Sequence, residues 1–170
     1  MEFDDVIRKR RSVRKYTDKK VSDEEIFEIL KAAFYSPSAS NRRPWHFIVV
    51  RDDEKKSKLA KTHKWSSMVA DASVVIVVCA DEEEASRWIE DASIATEHMH
   101  LKAQDLGLGS CWIAVRSDET MKRENYVSEV LNIPENIRVL CLLPIGYPAK
   151  EKPEHDDEEI IENRIHHDSF

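Results

Sequence analysis

Three guanidinium groups and a hydroxyl lie within five residues at Arg10-Arg11-Ser12-Val13-Arg14. Arg presents a planar fork of donors matched to phosphate oxygens, and Ser adds a neutral donor. If the backbone here is extended, positions 10, 12 and 14 share one face that spans about 13 Å, enough for a phosphate at one end and an electron-rich group at the other. The bland alternative is that these cations only complement the dipole at the end of a preceding helix. A second stretch, Ser36-Pro37-Ser38-Ala39-Ser40-Asn41-Arg42-Arg43-Pro44-Trp45, is a loop of small hydroxyl residues and an Asn, bounded by prolines and running into an apolar strand.

Several chemistries lack their usual frame. The chain has no GxSxG, no GxxxxGK[ST] and no GxGxxG after a strand, so hydrolase, kinase and dinucleotide-fold readings have no support. His98 and His100 are two apart on an expected helix and point about 200° from one another, so they cannot chelate one ion. No HExxH or CxxC spacing occurs, and His166-His167 reads as a solvated pair; no metal site is expected. The net charge of −7 argues against nucleic acid and anionic membrane as partners, which makes the basic strip a local feature. Three cysteines, Cys79, Cys111 and Cys141, sit in or beside apolar runs and read as small buried residues in a reducing compartment. With no membrane-length apolar run and no signal-like N-terminus, the expected location is cytoplasmic.

The elements that must position these residues follow from periodicity. Phe3 to Lys9 reads as a short helix with the strip as its exit. Ser22 and Glu25 form a capping box ahead of a helix with the stripe Ile26, Ile29, Leu30 and Ala33, which ends before Pro37. Trp45 to Val50 is a strand apolar on both faces, expected inside a covered sheet. Asp52 and Asp53 open a polar helix. Ala72 to Ala80 is the strongest strand and is expected to be central. A long helix from about Ala85 to Leu106 stops at Gly107. Gly109 to Val115 should be a strand whose glycines let a ligand approach the backbone. Asp118 should cap a helix to about Leu131, and Arg138 to Ile145 is a further buried strand. A chain of 170 residues fits one domain spanning 1–170.

The strip and the loop, in this order, resemble the start of the FMN-dependent nitroreductase family, where an RRS-x-R strip holds the flavin phosphate and a PS-x-x-N-x-x-PW loop completes the site. The likeness continues through Trp45-His46-Phe47-Ile48-Val49-Val50, Gly107-Leu108-Gly109-Ser110-Cys111-Trp112-Ile113 and Gly146-Tyr147-Pro148, and so covers nearly the whole chain. It implies an α+β fold, a three-layer α-β-α sandwich with a central mixed, largely antiparallel sheet, in a homodimer with shared active sites. By resemblance, Arg10, Arg11 and Ser12 contact the phosphate, and Arg14 faces the ring, where a cation favours the negatively charged reduced flavin. Pro37, Ser38, Ala39, Ser40 and Asn41 reach the flavin from the partner subunit. The backbone of Trp112, Ile113, Ala114 and Val115 approaches the ring, and Lys152 adds to the phosphate site.

Departures from the family pattern are Ala114 in place of Gly, Arg43 in place of Gln, and a basic C-terminal set reduced to Lys150, Lys152 and His155. The implied activity is NAD(P)H oxidation, from NADH or NADPH, with electrons passed by a ping-pong route to a nitroaromatic, quinone or flavin-like small molecule. The alternatives are a specialised member that dehalogenates or breaks down flavin, and a non-enzymatic phosphate or flavin sensor.

Overall fold

The middle of the sheet is Val74–Asp81 (β2), whose first seven residues are all buried, as a β-branched run covered on both faces should be. The structure is a computed structural model that describes residues 1–116 and 120–170. β2 lies between Trp45–Val50 (β1) and Ile137–Gly146 (β5), antiparallel to both. Two short strands, Gly109–Ser110 (β3) and Ile113–Ala114 (β4), pair with β5, also antiparallel. Parallel pairing among the described residues is confined to the isolated bridge between Ser12 and Ser110.

Side chains alternate between two cores, as the strand period of two requires. Ile76, Val78 and Ala80 join Ile26, Ile29 and Ala33 of Asp23–Phe34 (α2) and the apolar stripe of Trp88–Asp105 (α5). Val75, Val77 and Cys79 face the other way, toward Leu59 of Asp53–Leu59 (α3), Met68 and Val69 of Met68–Asp71 (α4) and Val127 of Lys122–Leu131 (α6). The result is the expected α-β-α sandwich, with Phe3–Lys9 (α1) lying against α5.

Two expectations about strands need correction. β1 is an edge strand with His46 and Val49 exposed; Phe47 and Ile48 each pack against a different core. Its two-faced apolarity therefore reports helices above and below it, not a central place. The expected strand from Gly109 to Val115 is broken at Cys111-Trp112, although β3 and β4 hold one continuous register against β5. Two helix ends behave as the sequence implies, while α5 begins at Trp88, one turn later than the expected start near Ala85. Ser22 and Glu25 make both bonds of the capping box, and α5 closes with Gly107 at φ 74, its N–H bonded to Gln104 O and that of Leu108 to Ala103 O. α6 is preceded by Met121; the expected cap, Asp118, lies outside the described residues.

Candidate active site

After α1 the strip runs extended along the sheet. Ser12 bridges Ser110, Val13 N–H donates to Ser110 O at 2.9 Å, and further on Thr17 N–H donates to Tyr147 O at 2.9 Å. Gly109 has no side chain because Val13 fills that space: a Cβ there would meet the Val13 side chain at 2.6 Å. The expectation that glycine opens the backbone to a ligand is thus corrected at Gly109, whose free side is occupied by the chain's own strip.

Alternation then sorts the strip residues. Arg10, Ser12 and Arg14 act together on the Cys111 thiol: burial pushes it up, while Arg14, a hydrogen bond from Ser12, Lys152 and Arg10 pull it back. The charges of Arg10, Arg14 and Lys152, from two distant segments, thus all reach the Cys111 thiol beside β3. Lys152 is fixed there by donating from Nζ to Ser12 O at 2.6 Å. None of Arg10, Arg14 and Lys152 makes an ion pair with a described residue. Arg11 turns the other way, its guanidinium donating to Pro153 O at 2.7 Å. It ties down the tail that carries Lys152. Lys150 is exposed, and His155 pairs with Glu159 while its N–H donates to Arg8 O.

Behind the strip lies a pair whose histidine the sequence raises only as a metal candidate. His100, 4% exposed, hydrogen-bonds through Nδ1 to Ser110 Oγ at 2.7 Å. Burial, aided by the Arg10 charge, lowers its imidazole to about 4, so it is neutral at pH 7. His100 thereby supports the strand residue against which Ser12 is laid. On the other side of Cys111, Trp112 is half-buried, Ile113 is buried and Ala114 exposed. The N–H of Val115 is bonded to Leu140 O at 3.1 Å, so this amide is not available to a ligand.

The loop is shaped by a tight turn at Ala39–Asn41, with Ser40, Asn41 and Arg43 at φ 53, 54 and 55. Non-glycine residues in this left-handed region cost roughly 1–2 kcal/mol each, and such strain clusters where geometry serves function. Ala39 N–H donates to Asp91 Oδ1 at 2.8 Å and Arg43 N–H to Ser38 Oγ at 3.0 Å. Arg43 Nε donates to Asn41 Oδ1 at 3.0 Å. Asp91 is 3% exposed, and its other oxygen is buried with no partner among the described residues. The sequence held a clue to this anchor: Asp91 falls at a core position of the helical stripe Trp88, Ala92, Ala95, where a carboxylate is costly unless it holds something.

Strip and loop are held at different points along α5. The loop is pinned at Asp91, whereas Arg10 lies by Glu97 and His100, where partial desolvation raises the Glu97 carboxyl against the pull of Arg10. Asp91 and His100 are nine residues apart on one helix, a separation of about 13 Å.

Comparison with known proteins agrees with the fold. The profile described as Nitroreductase family matches residues 7–65 and 57–147. A protein of Archaeoglobus fulgidus named as an NADH dehydrogenase/NAD(P)H nitroreductase is 43% identical over 95% of this chain and 94% of its own length. A Methanothermobacter thermautotrophicus protein named in the same way is 41% identical over 92% of this chain and 82% of its own. Among solved structures, an FMN-dependent nitroreductase from Clostridium difficile superimposes with a TM-score of 0.93 at 40% identity, covering 97% of this chain and 98% of that one. From the helix-flanked antiparallel sheet to the strip laid on β3, the chain belongs to the nitroreductase family.

Proposed function

We propose that this protein is an FMN-dependent oxidoreductase that takes a hydride from NADH or NADPH and reduces nitroaromatic, quinone or flavin-like small molecules by a ping-pong route. The carrying observation is the basic strip laid along β3, with Ser12 bridging Ser110 and Lys152 brought in from the tail by its bond to Ser12 O. Cations gathered beside an extended backbone suit an anion, and a terminal phosphate suits a strip that has no glycine-rich loop for a pyrophosphate. When bound, FMN supplies the ring that exchanges hydride and electrons; the residues of the chain bind it, shield it and set its electrostatic surroundings.

In this reading Arg10, Ser12 and Lys152 hold the phosphate, Arg11 orders the tail behind Lys152, and Arg14 sits toward the ring. Trp112, Ile113 and Ala114 border the ring, and the loop from Pro37 to Asn41 closes the site of a second subunit. The homodimer is supported by apolar side chains left in solvent: Phe3 and Ile7 of α1, Phe27 and Phe34 of α2, and Ile160, Ile161 and Ile165 of the tail are all exposed. The sharing of the site between chains rests on the family resemblance.

The test is spectroscopic. The purified protein should be yellow, should release FMN and not FAD on heating, and should bleach when NADH or NADPH is added anaerobically. Recovery of FAD, or failure to take up any flavin on reconstitution, removes the proposal.

A further inference from the structure

We propose that Arg43 is a positioning residue that fixes which end of the Asn41 carboxamide is offered to a ligand. The inference rests on the flavin-site reading. Arg43 is held in an uncommon conformation: its φ is 55, it directly precedes Pro44, and its N–H is tied to Ser38 Oγ at 3.0 Å. From there the side chain folds back so that Nε donates to Asn41 Oδ1 at 3.0 Å. Asn41 is itself left-handed at φ 54 and exposed, so its carboxamide stands at the loop surface.

A guanidinium has donors and no acceptor, so it can engage only the oxygen of the amide. The Asn41 Nδ2 group then faces outward with both hydrogens unused among the described residues. An unclamped carboxamide presents either end to a ligand, whereas this one has its oxygen turned to Arg43 and its donors left for a ligand. Its partner should be a planar heterocycle with a carbonyl oxygen or a ring-nitrogen lone pair at its edge, and an acceptor that grows more negative on reduction is bound more strongly in that state. The residue expected here from the family resemblance, Gln, has a donor end that can serve the same clamp without the charge.

Titration of flavin-free protein with FMN, followed by quenching of FMN fluorescence, separates these roles without reference to turnover. Arg43→Met should weaken FMN binding about five- to tenfold, the scale of one net hydrogen bond. Arg43→Gln should stay within about twofold of wild type, because the clamp is kept. In an Asn41→Ala background, Arg43→Met should add nothing, since the two changes remove one interaction. The proposal is overturned if Arg43→Met binds like wild type, if Arg43→Gln is as weak as Arg43→Met, or if the effects of the two sites simply add. A wild-type chain that takes up no FMN overturns the flavin reading and this inference together; a wild-type chain that binds FMN beside an unaffected Arg43→Met overturns this inference alone.

Discussion

Arg10 and Arg14 share one face of the strip, yet they should do separable work. Arg10→Ala should weaken FMN binding by a charge-assisted contact, about 1.5–3 kcal/mol, with little change in the bound flavin's potential. Arg14→Ala should lower the potential by removing a cation near the ring; equal potentials for wild type and Arg14→Ala contradict that assignment. His100 gives a pH test of the support behind the strip. Its folded value of about 4 lies below its ordinary 6.5, so the unfolded chain binds the proton first. Stability from keeping this ring neutral is therefore complete above pH 6.5 and is lost as pH falls toward 4, by about 3 kcal/mol in all. Urea unfolding of His100→Asn should show a shallower loss over that window than wild type; parallel curves contradict it. The strip residues were legible because their chemistry is local to five positions. The partners of Asp91 and His100 were not, because each acts on a backbone or hydroxyl brought to it only by folding, Ala39 and Ser110 respectively.

At the scale of elements, α5 carries both sets of supports: its first turns pin the loop and its later turns support the strip. Removing the pin should free the loop without melting the helix. In Asp91→Ala, trypsin should cut after Arg42 about tenfold faster, as expected when one backbone hydrogen bond no longer opposes local opening. An unchanged rate of cutting, measured on intact protein by mass spectrometry, contradicts the anchoring role. Helix limits were largely readable, since the Ser22/Glu25 box and the glycine after α5 act within one turn. Strand order was not. β1 and β2 are both apolar on two faces, and only the pairing partner makes one an edge and the other central. The break at Cys111-Trp112 was also hidden, because nothing in an apolar heptapeptide marks where its ladder stops.

For the whole molecule, the exposed apolar residues of α1, α2 and the tail are the faces that a second copy should cover, and the proposed site is complete only when it does so. The sequence carried this only through resemblance, since neither Phe27 nor Ile161 announces what will cover it. The measurement that bears most directly on the account is flavin content in a mixed dimer. One chain carries Arg10→Ala with Arg11→Ala; the other, separately tagged, carries Asn41→Ala with bulky replacements at Ser38 and Ser40. Each homodimer should bind FMN poorly. In the heterodimer both defects fall in one site and the other site is intact, so the account predicts about one flavin per heterodimer, roughly half the wild-type content. A heterodimer that forms normally but holds no more flavin than either parent would mean that strip and loop serve the same subunit, and would contradict the shared site.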